Sequence, residues 1–404
     1  MDTILVVNAG SSSLKFQVFA TDGRSTLTRR IKGQMEGIGT RPRLRAEGAD
    51  GKSLTDENFA PDQVPDVATA IGVTGAWLRS TQKFNLIAVG HRVVHGGPHY
   101  SRPLLIDHAI LAELDRYSPL APLHQPNNVA PIRSLLESNP ELPQIACFDT
   151  AFHRGHSAVA DHFAIPEHFY QEGVRRYGFH GLSYEFVAKR MEELFPGSTE
   201  GRLIVAHLGS GASMCALLNG KSVESTMGFT ALDGLPMGTR PGQIDPGVLL
   251  YLIAQRGMTA DAVQDMLYKQ CGLKGLSGIS NDLRELEASP APGAVLAIDY
   301  FVYRIAMSTG MLAAALGGLD GFVFTAGIGE NSVTMRGRIA GTLKWLGADL
   351  DETANAERSH LISRPDSRVK LYVIPTDEER MIAEHTLELI AAGGKAGTKM
   401  RGTA

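Results

Sequence analysis

Two apolar runs, Ile4 to Val7 and Leu14 to Phe19, open the chain on either side of the small polar stretch "NAGSSS". β-Branched and aromatic residues flanking a Gly/Ser turn predict strands over 4–8 and 14–19, joined as a hairpin. The pattern returns about 200 residues later in "LIVAHLGSGASMCALLNGKSVES", where another apolar strand meets a Gly/Ser turn and a second strand follows. A third strand, in "GFVFTAGIGENS" from Gly321, is expected to end in a Gly-rich turn. That turn opens onto the helical pattern "VTMRGRIAGTLKWLG", with Ile339, Leu343 and Leu346 on one face. Strands alternating with helices predict an α/β fold, and the repeated hairpin predicts two related domains facing each other across a ligand cleft. A boundary is expected near Asp149, where "QIACFDTAFH" ends a buried strand, and the last helix, "DEERMIAEHTLELIAAG", is expected to return to the first domain. The polar, Gly- and Pro-rich segment from Gly33 to Val64 reads as a surface excursion. The weakly charged stretch Ile305 to Ile328 is interrupted by glycines and Asp320, so it reads as a core helix running into a strand rather than a membrane span. Residues from Gly393 onward are expected to fray.

Composition narrows the partners. The chain has 404 residues, enough for two domains, and its 43% apolar and 20% charged content is that of a globular protein. A net charge of -4 supplies no basic footprint for nucleic acid, which favours a small-molecule partner. Three widely spaced cysteines, Cys147, Cys215 and Cys271, support neither a disulfide framework nor a zinc site. With Asn8 and the serines interrupting the first apolar run, no secretory signal or membrane anchor is expected, and a cytoplasmic setting is.

Familiar nucleotide motifs fail. "GKS" occurs at Gly51 and Gly220, but Ala46 and Cys215 stand where G-x-x-x-x-G-K-[ST] needs its first glycine. Rossmann spacing fails at Met214 and Ser332. His91, His95 and His99 are spaced for zinc on a helix, yet "HRVVHGGPHY" cannot continue as one. Three Gly-rich loops at strand ends remain, and their backbone N–H groups suit one polyphosphate. Arg92 follows an apolar strand and Arg240 lies in "MGTRPGQIDPG"; each is either a structural arginine satisfying loop carbonyls or a planar clamp for phosphoryl oxygens. His180, beside Phe179 and Gly181, is either half-buried packing or a donor to an anion.

In order along the chain stand "NAGSSSLKF", "GHRVVHGG", "APLHQPNN", "CFDTAFH", "RYGFHGLSY", "AHLGSGAS", "STMGFTALDGLPMGTRPGQIDPG", "GISNDLRE", "FTAGIGENS" and "IPTDEERMIAEHT". From Ile4 to about Leu389 the chain thereby resembles the acetate kinase family, within the acetate and sugar kinase, heat-shock cognate and actin superfamily. The resemblance implies two duplicated actin-like (ribonuclease H-like) domains with mixed sheets flanked by helices and a central nucleotide cleft. Residues 1–149 with 384–396 would form the N-terminal domain. Residues 150–383 would form a C-terminal domain that binds nucleotide and makes a homodimer.

The implied activity is reversible transfer of the ATP γ-phosphoryl to acetate, giving acetyl phosphate and ADP, with propionate or a broader short-chain carboxylate as the alternative acceptor. Mg²⁺, or Mn²⁺, is the implied metal. By block, Arg92, Arg240, Asp149 and His180 carry the catalytic roles, and Arg92 with Val94, Leu123, Phe179 and Ala231 lines the acyl site. Lys15, His207, Leu208, Gly209, Ser210 and Gly211 fall at the phosphates. Asp282, Leu283 and Arg284 fall where adenosine is held, and Gly327, Ile328, Gly329, Glu330 and Asn331 in the other nucleotide loop. Asn8 and Glu378 are implied at the metal, with Ser11, Ser13 and His124 also in the site. Glu378 has a second explanation, because an acid in the first turn of a helix is stabilised by the helix dipole.

A carboxylate acceptor is already ionised at neutral pH, so direct in-line transfer needs no general base, only counter-charge between two anions. Four departures from the family blocks bear on this. Ser210 stands for a common Asn, Leu182 and Tyr184 for Thr and His, Gln243 for Asp, and Ala231 for a proline of the acyl pocket. A missing proline ring widens the acceptor range, since one methylene in such a pocket is worth only about 1–3 kcal/mol. A phosphatase on the same fold and a catalytically silent nucleotide-binding protein are the remote alternatives.

Overall fold

The first hairpin forms because it is apolar on both faces: Val7 and Ala9 of β1 (Asp2–Ala9) pack with Leu14, Phe16 and Val18 of β2 (Ser13–Thr21) in one core cluster, while Ile4 and Val6 are buried on the other face. The computed structural model describes residues 1–10, 12–23, 26–81, 84–122 and 124–393. Two compact units emerge, Met1–Phe152 with Asp377–Ala404, and His153–Thr376.

In the first unit, β1 and β2 are joined by β3 (Leu27–Glu36), β4 (Arg43–Gly48), β5 (Ser53–Asn58), β6 (Asn85–Val93), β7 (Leu104–Leu105) and β8 (Gln144–Phe148). They make one eight-stranded sheet in the order β5-β4-β3-β2-β1-β6-β8-β7. β1 pairs antiparallel with β2, while β1, β6 and β8 run parallel. Every residue of β8 is buried, which is why it is apolar throughout after Gln144. The helix Glu378–Ala391 packs on β1, β6 and β8 of this unit.

In the second unit, β9 (Arg202–Leu208), β10 (Ala212–Leu218), β11 (Lys221–Ser225), β12 (Gly321–Thr325) and β13 (Lys370–Val373) form a sheet in the order β11-β10-β9-β12-β13. β9 and β10 are antiparallel, and β9, β12 and β13 parallel. Strand for strand this repeats β3-β2-β1-β6-β8, so each unit is the same mixed α/β sheet with a hairpin feeding parallel strands. The stretch 305–328 holds the end of helix Pro292–Leu316, then β12 and the start of a further helix. Pro292–Leu316 is the one helix among the described residues long and apolar enough to cross a membrane by length and composition; its inner face packs on β9, β10 and β11.

Two expectations are corrected. Gly33 to Val64 is no surface excursion: β3, β4 and β5 extend the sheet, and Met35, Ile38, Leu44, Ala46 and Val64 join its core. The charged residues that make the segment look like a loop lie largely on the outward face of a one-sided sheet. Gly33 is required there, because a Cβ would sit 2.3 Å from the Phe16 ring. The Gly-rich stretch after β12 is also no turn but a short helix, Ala326–Asn331, entered through Ala326 at φ 64°. Glu330 Oε1 accepts from the Ala326 N–H at 2.8 Å, which satisfies the start of that helix from within.

Three buried histidines couple the fold to pH. Burial pushes His91 down to about 4, His153 to about 3 and His156 to about 4. Each ring stays neutral in the fold but takes up a proton in the unfolded chain below about 6.5. Stability is therefore complete above that pH and lost as the pH falls toward the folded values, by about 1.4 kcal/mol per pH unit for each ring. Urea unfolding at pH 5.0 is expected to give a free energy lower than at pH 6.5 by roughly 2 kcal/mol per histidine; an unchanged value contradicts neutral burial.

Candidate active site

β6 ends by sending His91 and Arg92 to opposite faces, as successive strand residues must go. Parallel pairing sets Arg92 beside Cys147 of β8, so Asp149, two residues further, emerges at the same carboxyl end. There Arg92 Nε and Nη2 donate to Asp149 Oδ1 and Oδ2 at 3.1 and 2.5 Å, a fork matched to a carboxylate. Its Nη1 donates to Asn8 Oδ1 at 3.3 Å, and its Nε lies 3.7 Å from Glu378 Oε2. Asn8 faces Lys15 across the hairpin ladder. Asn8 Nδ2 and Gln17 Nε2 also reach Glu379, each at 3.5 Å.

Charge in this cluster is unbalanced. Burial alone would lower Arg92, but Asp149 and Glu378 outweigh it and raise the guanidinium further. Burial raises Asp149 while Arg92 pulls it back. Glu378 is pushed up to about 7, first by burial and then by its neighbours Asp149 and Glu379, against the pull of Arg92 and Lys15. One guanidinium cannot neutralise both carboxylates.

The strand exits are clipped in place. The Val94 N–H donates to Asn128 Oδ1 at 2.9 Å, and Asn128 Nδ2 donates to the Ala9 carbonyl at 2.6 Å. Asn128 belongs to the helix Gln125–Ser138, which His124 caps in position. The Gly10 N–H donates to the Ser13 carbonyl at 2.7 Å and closes the hairpin turn. Ser11 and Leu123 lie outside the described residues.

The second unit gathers a different set. His180 stands at the start of helix Gly181–Leu194 with φ 57°, a left-handed backbone that a non-glycine residue holds only under constraint. The preceding residue, Phe179, is buried, and its carbonyl accepts from His153 Nε2 at 3.0 Å. His180 stacks on His207 with centroids 4.2 Å apart, and its Nδ1 meets Ser213 Oγ at 2.8 Å. In the turn between β9 and β10, a Cβ on Gly211 would lie 3.2 Å from both His180 Nε2 and Arg240 Nη2. Two side-chain nitrogens thus flank a position that has no side chain.

Arg240 Nη1 donates to the Ala231 carbonyl at 2.9 Å, tying that arginine to the predicted acyl wall. The arginine's own loop is shaped by the Met237 N–H on the Arg240 carbonyl, 2.9 Å, and the Leu273 N–H on the Met237 carbonyl, 2.9 Å. Gly272, at φ 63°, permits this approach; a Cβ there would fall 2.0 Å from the Met237 carbonyl oxygen.

Leu208 ends β9 in the core, and the Gly209 N–H donates to the Gly211 carbonyl at 3.1 Å, leaving Ser210 exposed at the tip. Of the other loop, Gly327 to Asn331 form the short helix already described, in which Asn331 Nδ2 donates to the Gly327 carbonyl at 2.9 Å. The Glu330 carboxylate also accepts from the Thr376 N–H at 3.1 Å, so it holds backbone. Asp282 caps the short helix Leu283–Glu287 and pairs with the exposed Arg284 guanidinium, whose hydrogen bond holds the Asp282 carboxyl down at about 2. Leu283 is buried beneath them.

The predicted residues Asn8, Arg92, Asp149 and Glu378 thus come together in one cluster, and His180, His207, Gly211, Arg240 and Ala231 in another. Asp282 and Arg284 engage each other. Sequence reading missed Gln17, Glu379, Asn128, Ser213 and Arg336. Glu379 had a signal, as the second glutamate of "DEER". Arg336, fully buried, donates to Asn355 Oδ1 and to the Gly329, Glu330 and Asn355 carbonyls at 2.7–3.0 Å, fixing the end of the 326–331 helix.

Comparison with known proteins adds a second line. The family model described as "Acetokinase family" matches residues 3–384. The acetate kinase of Nitrobacter hamburgensis is 66% identical over 390 residues, 96% of each chain. Among solved structures, a propionate kinase from Francisella tularensis is 35% identical with a TM-score of 0.88, covering 95% of this chain and 99% of its own. Porphyromonas gingivalis acetate kinase is 34% identical with a TM-score of 0.87, covering 96% and 100%. With the family pattern and the fold agreeing over almost the full length, the chain belongs to the acetokinase family, a family of kinases.

Proposed function

We propose that the chain transfers the γ-phosphoryl of ATP to acetate, reversibly and in line, giving acetyl phosphate and ADP. The observation that carries this reading is the pair of nitrogens, His180 Nε2 and Arg240 Nη2, flanking the bare backbone of Gly211. Such a seat suits a phosphoryl group whose charge spreads over its equatorial oxygens. Arg92 supplies the second guanidinium, and Asp149 holds its fork in one orientation. Asp149 takes no proton in this scheme, since the acceptor carboxylate arrives ionised. Lys15 and the Gly209–Gly211 backbone face the phosphates, and Asp282 to Arg284 and the 327–331 helix hold the rest of the nucleotide.

Asn8 and Glu378 fit a hard divalent cation, because oxygen donors from one or two carboxylates plus substrate phosphates are what Mg²⁺ takes. The surplus negative charge around Glu378 is the property that suits a cation there. Bound with ATP, the metal supplies positive charge to the phosphate oxygens. Among the described residues no group of three His, Cys, Asp or Glu side chains forms a closed cage, so the substrate would complete the ligand set.

Val94, Phe179 and Ala231 are taken as the acyl walls. Ala231 in place of a proline favours propionate as a second acceptor, as does the likeness to a propionate kinase. The second unit exposes apolar side chains on two helices, Leu250, Tyr251 and Ile253, and Tyr303, Met307 and Met311. Such a face suits a homodimer; light scattering that finds one chain per particle ends that part of the proposal. Among the described residues Cys147, Cys215 and Cys271 form no disulfide, in keeping with a reducing cytoplasm.

Arg92→Ala and Arg240→Ala are each expected to lower kcat/KM for acetyl phosphate formation by about 10³-fold or more, with the fold intact by circular dichroism. Turnover near the parent level in either variant contradicts the scheme. Across acetate, propionate and butyrate, Ala231→Pro is expected to cut the propionate-to-acetate ratio of kcat/KM by about tenfold. An unchanged ratio, or a parent enzyme that prefers butyrate, overturns the pocket assignment.

A further inference from the structure

Two hydroxyls reach the stacked histidines from the first turn of helix Gly181–Leu194. Ser183 Oγ lies 2.8 Å from His207 Nδ1 and 2.9 Å from Thr376 Oγ1. The neighbouring Tyr184 is fully buried, and its phenol meets Ser213 Oγ, which in turn lies 2.8 Å from His180 Nδ1. Tyr184, Ser213 and His180 therefore form a continuous chain from the core to the ring whose other nitrogen flanks Gly211. Tyr184 is also one of the positions where this sequence departs from its family block.

Direction matters along such a chain. A neutral imidazole carries one N–H and one lone pair, and which nitrogen has the proton is set by the bond at the other. A phenol stays protonated at neutral pH, so it has one hydrogen to give. If Tyr184 gives it to Ser213, the serine hydrogen is free to point at His180 Nδ1. That nitrogen then accepts, and the ring proton sits on Nε2, facing the anion seat. In the reverse direction a neutral ring would turn a lone pair toward phosphate oxygens, which repel it.

We propose that Tyr184 is a positioning residue for phosphoryl transfer: acting through Ser213, it fixes His180 as the Nε2–H tautomer that donates to the migrating group. The phosphoryl part and the choice of direction rest on the function proposed above; the hydroxyl relay itself does not. The Tyr184 ring is itself held edge-on by His153 and His207, at 5.8 and 6.4 Å between centroids, so removing the hydroxyl alone leaves this packing in place.

The test is Tyr184→Phe. In substrate-free enzyme labelled with ¹⁵N-histidine, long-range ¹H–¹⁵N correlation reads the tautomer of each ring, with the His180 signals assigned by their loss in His180→Asn. The parent is expected to show His180 as Nε2–H, and Tyr184→Phe a mixture of tautomers. The same variant should lose about tenfold in kcat, the scale of one hydrogen bond, while KM for acetate and for ATP stays within about twofold. Ser213→Ala should reproduce both effects, and Tyr184→Phe with Ser213→Ala should lose no more than Ser213→Ala alone. Ser213→Ala also carries the test if Tyr184→Phe does not fold. An unchanged tautomer with unchanged kcat overturns the proposal, as does a rise in KM at constant kcat. A parent enzyme inactive on acetate overturns the proposed function instead, while the tautomer measurement still decides the role of Tyr184.

Discussion

Arg92 serves a buried carboxylate, Asp149, and a half-buried one, Glu378, at once, and the first cluster is arranged around that imbalance. Its fork is saturated by Asp149, while its remaining nitrogen reaches Asn8 and Glu378 sits at its flank. Breaking such a buried pair by removing one partner leaves an uncompensated charge, which costs about 3–5 kcal/mol. The geometry in turn requires parallel register between β6 and β8, the β1–β2 hairpin that carries Asn8 and Lys15, and the last helix that brings back Glu378. Three segments distant in sequence are held to one another by a single guanidinium. What the cluster lacks is positive charge, which in the proposed function a substrate arriving with a divalent cation would bring.

The same sheet is used twice with different chemistry. Both units place candidate site residues at the carboxyl ends of parallel strands, where ligands bind in open α/β sheets. In the first unit those ends carry Arg92 and Asp149. In the second they lead to His207, to the turn at Gly211 and to the strained entry at Ala326. Acid and guanidinium dominate one set, and imidazole, hydroxyl and backbone the other. A duplicated framework thus does not imply duplicated roles, because the turn residues differ where the strands do not.

Much of this was legible beforehand. The hairpins, the third strand and the α/β class followed from runs of β-branched residues broken by Gly and Ser, since local pattern decides local structure. Arg92, Arg240 and His180 stood out by irregular, Gly-flanked contexts, whereas the roles of Asp149 and Glu378 came only from the family resemblance. Gly33 to Val64 did not, since a sheet with one wet face shows its charges as plainly as its core. The 326–331 helix was hidden by its glycines; Glu330 and Arg336 hold its start and end, and those two side chains also engage Thr376 and Asn355, which no short window contains. Glu379 with Asn8, Asn128 with Ala9, and Ser213 with His180 pair across 371, 119 and 33 residues, so only the folded chain reveals them.

The central claim is that Asp149 acts by holding Arg92 and carries no proton of the reaction. A double-mutant cycle tests it most directly, comparing kcat/KM for Asp149→Asn, Arg92→Ala and the double variant. If Asp149 works only through Arg92, the double variant falls no further than Arg92→Ala, within about threefold. Losses that multiply independently would contradict that account and assign Asp149 a role of its own.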